Sequence, residues 1–152
     1  MKPDPDQLDF FAAPLFPVRE AAQSIDLERF RARVKRAMAR AIRECPYDRP
    51  TIAARMALYL GLASISKATL DAYTAESKNG HDISLARFKA FVRATGAVWL
   101  WDEIVSDDGL LLLEGDEARL AEIAWLEQER RKLTAELKTL TARPVNIRRG
   151  RT

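Results

Sequence analysis

Three times this chain writes an isoleucine, then a capping residue, then a large apolar side chain four positions after the cap. The sets are Ile25-Asp26 with Phe30, Ile65-Ser66 with Leu70, and Ile83-Ser84 with Phe88. The cap oxygen takes an orphan backbone N–H of the first helical turn, and the two apolar residues close over it as a hydrophobic staple. Three helix starts are thereby marked, and a mainly α chain is expected. Stops are equally plain: Pro46 after a stripe of Leu27, Phe30, Val34, Met38, Ala41 and Cys45, then Gly61, Asn79-Gly80 and Gly96.

The expected order is an extended, flexible arm over residues 1–23, then a helical domain over 24–108. Its helices run from about Asp26 to Cys45, from Pro50 to Gly61, from Ser66 to Ser77, from Ser84 to Gly96, and around Trp99 to Ser106. Four prolines and no periodicity define the arm. Leu110 to Leu113 is a short apolar run between glycines, expected as a buried strand. It either pairs with its copy in a second subunit, which would place Leu111 and Leu113 at a subunit contact, or tucks into the core as a loop. From Asp116 to about Ala142 a long helix carries Ile123, Leu126, Leu133, Leu137 and Leu140 on an a/d seam, with Arg130 at one a position. A short coiled coil joining subunits is expected over 109–142, with docking on the protein's own core as the alternative. Glu122 and Glu127 would face each other in a simple parallel homodimer. Residues 143–152 form a basic tail.

At 152 residues the chain can bury a core, and 25 basic against 22 acidic residues make it only mildly basic. Nucleic-acid binding must therefore rest on where charges sit. No apolar run reaches the ~20 residues of a membrane span, and no signal peptide is written, so a cytoplasmic protein is expected. One cysteine and one histidine, His81, with no phosphate loop and no metal-ligand spacing, point away from an enzyme and imply no metal and no cofactor.

On the first helix Arg29, Arg33, Arg36, Arg40 and Arg43 follow at spacings of four, three, four and three, forming one basic face opposite the apolar stripe. Like charges in line repel, and a polyanion would relieve that repulsion, so this ridge is the candidate phosphate grip. The two helices separated by the tight turn after Gly61 have helix-turn-helix punctuation, with the second presented to a DNA major groove. There Ser66, Lys67 and Thr69 are candidates for contact with phosphates or base edges, with Lys78 near the far end and Ala68, Asp71, Ala72 and Ala75 expected outward. Lys67 and Lys78 are offset by Asp71 and Glu76.

The stretch from Arg49 to Leu113, read as IAARMALYLG, SKATLDAYTAE, HDISLARFKAFVRATG and WLWDEIVSDDGLLLL, resembles the repressor/Cro-like helix-turn-helix domains, especially temperate-phage regulators of the CII type. That resemblance implies a fifth helix and a short strand after the DNA-binding unit, and dimers or higher oligomers on duplex DNA. It carries Ser66, Lys67 and Thr69 over as contact positions. The third helix here is more acidic and alanine-rich than the family pattern. In the arm, Gln7-Leu8-Asp9-Phe10-Phe11 looks like the short peptide by which bacterial proteins bind the replicative sliding clamp. Gln7 would set register while Leu8, Phe10 and Phe11 fill an apolar pocket; alternatively Phe10 and Phe11 pack on the chain's own domain. The expectations are thus a DNA-binding transcriptional regulator of phage or mobile-element type, a replication or transposition accessory protein recruited to the clamp, or an interaction module without DNA binding.

Overall fold

The computed structural model describes residues 16–145, and among these it contains six helices and no strand. The chain divides into two units between Leu112 and Leu113. No helix of the described residues is long and apolar enough to cross a membrane.

In the first unit, α1 (Leu27–Glu44) begins where the Asp26 carboxylate accepts the Arg29 N–H at 3.1 Å, and it stops ahead of Pro46. The second helix, α2 (Arg49–Leu60), starts earlier than Pro50 because Asp48 supplies the cap, accepting the Thr51 N–H at 2.9 Å. It ends in a Schellman turn: Leu62 N–H donates to Ala57 O, Gly61 N–H donates to Leu58 O, and Gly61 takes φ +65°. Next come α3 (Lys67–Thr74), capped by Ser66, and α4 (Leu85–Thr95), capped by Ser84 and closed at Gly96. The short α5 (Leu100–Val105) has no side-chain cap.

The core lies where α2 packs along α4, with α1 laid against α3 and α5. Met38, Ile52, Met56, Leu70, Phe91 and Leu100 are fully buried there, and Phe88 meets Trp101 edge to face at 5.2 Å. Ile65 and Leu70 are buried together, and Ile83 packs partly against the core that holds Phe88, so two staples sit where they were expected. The first does not close. Ile25 is 75% exposed, and the residues ahead of it are tied instead to α5 and the turn after it. Ala22 N–H donates to Asp107 O at 2.7 Å, Ala21 bridges Asp108, and Arg19 clamps both oxygens of Asp102 at 2.7 and 2.8 Å. The described end of the expected arm is therefore a strap on the helical unit. Gly109, at φ +72°, lets it pass: a Cβ there would stand 2.9 Å from Ala21 N.

Two further expectations change. The run Leu110 to Leu113 is not a strand. Two of its backbone groups are bonded by side chains instead: Arg19 donates to Leu110 O and Leu112 N–H donates to Asp102 Oδ1. The third helix stops at Thr74, not Ser77. Lys35, buried on α1, donates to the carbonyls of Ala75 (3.3 Å), Lys78 (2.6 Å) and His81 (3.4 Å), pulling the chain into turns after α3.

The second unit holds α6 (Gly115–Thr141), one long helix whose Glu117 carboxylate accepts the Glu114 N–H. None of its residues is buried.

Candidate nucleic-acid interface

The α2–turn–α3 segment is anchored on one side and open on the other. Leu70, Ala72 and Tyr73 face the core, whereas Ser66, Lys67 and Ala68 are exposed at the start of α3. Ala72, expected outward, is inside. Thr69, Asp71 and Ala75 are half-buried, so the open surface of α3 is its N-terminal turn rather than its length. Arg87, from α4, donates to the Tyr73 hydroxyl and ties the inner face down.

Polar groups on this turn are already engaged with one another. Lys67 Nζ lies 2.7 Å from Asp71, and Arg49 reaches the same carboxylate at 2.9 Å and Thr74 Oγ1 at 3.1 Å. The Lys67 hydrogen bond, then the charges of Lys67 and Arg49, hold the Asp71 carboxyl below the usual aspartate range. Ser66 and Thr69 hydroxyls share a hydrogen bond at 2.9 Å. Lys78 lies beyond α3 in the following turn, exposed, with its carbonyl on Lys35. Asp71, which looks in sequence like a cancelling charge for Lys67 alone, is shared by two cations.

The arginine ridge is less bare than its own helix suggests. Arg33 bonds Asp107 at 2.7 Å and the Glu103 carbonyl at 3.1 Å, Arg40 bonds Glu44 at 2.7 Å, and Arg36 approaches Glu76 to 3.9 Å. Asp107 is held below the ordinary carboxylate range chiefly by the Arg33 hydrogen bond. Three of these acids come from α5, the turn after it and the segment after α3. Arg29 and Arg43 have no ion pair among the described residues. Arg33, Arg36, Arg40 and Arg43 line a groove of about 290 Å³ against α5, floored by Trp99, over whose ring the Arg40 guanidinium lies at 4.6 Å. Exposed pairs such as Arg36–Glu76 and Arg40–Glu44 are each worth about 0–1 kcal/mol, so a phosphate can take either arginine at small cost.

A second basic groove is not foreseen in the sequence-based expectations. Tyr59 and Leu60 of α2 face Ala86, Lys89, Ala90 and Arg93 of α4 around about 250 Å³. Lys89 and Arg93 are exposed and unpaired among the described residues. The signal was present: α2 and α4 contain five lysines and arginines and no acid. Lys35, Arg19 and Arg49 could not be picked out in the same way, because their partners lie far along the chain.

The clamp-like residues Gln7, Leu8, Phe10 and Phe11, and the tail beyond Val145, lie outside the described residues. Leu111 and Leu113 are partly exposed, and Ile123, Leu126, Leu133, Leu137 and Leu140 are all exposed on α6. Among the described residues no three His, Cys, Asp or Glu side chains are grouped to hold a metal ion. Comparison with family models, with curated proteins and with solved structures finds no match.

Proposed function

We propose that this protein is a duplex-DNA-binding regulator in which α2 and α3 act as a helix-turn-helix. The observation that carries this is the asymmetry of α3: its inner face is buried while Ser66, Lys67 and Ala68 stand open at its N-terminal turn. A helix N-terminus also places a partial positive charge there, which suits a phosphate. Arg43 and Arg29 of α1 and the Lys89–Arg93 edge of α4 supply backbone contacts. The resemblance of Arg49 to Leu113 to CII-type regulators agrees with this arrangement and extends it to phage or mobile-element transcription.

The test is fluorescence anisotropy of the full chain with a labelled random-sequence duplex, measured from low to physiological salt. Binding should weaken steeply as salt rises. Lys67→Ala should reduce the preference for a selected sequence over a random one. No duplex binding at low salt would overturn the proposal. The acids along the ridge favour a second role, an adaptor that contacts protein, and that outcome would replace the first.

A further inference from the structure

We propose that α6 is one half of a heterotypic coiled coil, whose other half is an amphipathic helix of another protein with lysine or arginine beside its apolar seam. Ile123, Leu126, Leu133, Leu137 and Leu140 sit at a and d positions, and each is between 48% and 64% exposed. A seam broken only at Arg130 and left this open is complete only with a second helix across it. Seam residues alone do not choose that helix; the charges bordering them do.

From residue 122 onward Glu122, Glu129 and Glu136 occupy the g positions, and Glu127 stands at e ahead of Thr134 and Thr141. No lysine or arginine occupies e or g between Glu122 and Thr141. The cations of this stretch, Arg131, Lys132 and Lys138, are at b and c, turned from the seam. Lys132 and Arg130 bond Glu129 and Glu127 along the helix, whereas Glu122 and Glu136 have no ion pair among the described residues.

A second copy of α6 fits this edge badly in either direction. Antiparallel packing brings the two g edges together, glutamate row against glutamate row. Parallel packing sets Glu122 against Glu127 and stacks Arg130 on Arg130 in the seam. A helix with basic e and g residues reverses the first conflict, and an acidic residue facing Arg130 removes the second. The partner is thus selected by charge, with the leucines supplying adhesion.

Two dye-labelled synthetic helical peptides test this against the full-length chain. Both carry the same apolar a/d seam; one has lysine at every e and g with glutamate facing Arg130, the other glutamate at e and g. In anisotropy at low salt the lysine peptide should bind roughly tenfold or more tighter, because several e/g pairs turn from repulsive to attractive. That margin should shrink as salt rises. Changing Glu122→Lys, Glu129→Lys and Glu136→Lys together should reverse the preference, with helix content checked by circular dichroism. If that variant loses helix, Gln at the same three positions should abolish the preference instead. Sedimentation of the chain alone should give a monomer at the same concentrations. Equal binding of both peptides, binding of neither, or self-association removed by Leu133→Asp would each overturn the proposal.

Discussion

Lys35 shows how much one side chain decides here. It is 4% exposed, and its ammonium gathers three carbonyls from the segment after α3. Lys35→Met keeps the bulk of the side chain and strands those carbonyls, which should cost about 2–3 kcal/mol. A urea denaturation midpoint checks the loss, and limited proteolysis should find new cleavage between 75 and 82. Gly109 is the second such position. Gly109→Ala combines a left-handed backbone with a Cβ 2.9 Å from Ala21 N, so it should destabilise by ~1–3 kcal/mol and release the strap. Gly61→Ala is the control: its φ is also positive, but nothing lies within 4 Å of the new Cβ. It should cost less in the same urea titration.

Among the elements, the capped helix starts and the stops at Pro46, Gly61 and Gly96 were legible, whereas the end of α3 was not. A cap is a local event: Asp26, Ser66 and Ser84 each bond a backbone N–H three positions on, so a short window of sequence contains all the chemistry. The end of α3 depends on Lys35, and the conformation of Leu110 to Leu112 depends on Arg19 and Asp102, partners that periodicity cannot reveal. The same holds for the ridge, whose arginines were visible by spacing while Asp107, Glu103 and Glu76 arrive only on folding. These long-range pairs also set the response to acid. Asp102 is held below the usual aspartate range chiefly by its hydrogen bond from Arg19, and Asp107 by that from Arg33. Stability from such groups is complete above the unfolded aspartate value near ~3.9 and is lost as pH falls through their lowered folded values. Thermal melts from pH 7 down to pH 2 should therefore stay flat until about pH 4 and then drop. Asp102→Asn should shallow that drop, and an unchanged acid slope would rule out the strap as its source.

At the scale of the whole molecule, the mainly helical class, the order of helices and the long C-terminal helix could all be read in advance. The docked strap could not, and of the α2–α4 basic groove only the acid-free composition of the two helices was visible, not their meeting. Both depend on which helix faces meet, and α2 and α4 are separated by an intervening helix and turn. If the first unit holds duplex DNA, its cations should divide by role. Arg43→Ala should weaken specific and random duplexes alike and lower the salt dependence of binding by about one phosphate contact. Arg36→Ala should do the same to a smaller degree, because Glu76 already shares that arginine. Anisotropy titrations over a salt series separate these cases, and an Arg43 variant with the parent slope would exclude the ridge as a phosphate grip.

The seclusion of Lys35 has a practical consequence. Amine-modifying reagents in water meet Lys67, Lys78 and Lys89 at once, all of them exposed, while Lys35 is shielded for as long as α1 stays seated. Its acylation rate, followed peptide by peptide in a mass spectrometer, would act as a built-in gauge of how often that helix lifts away.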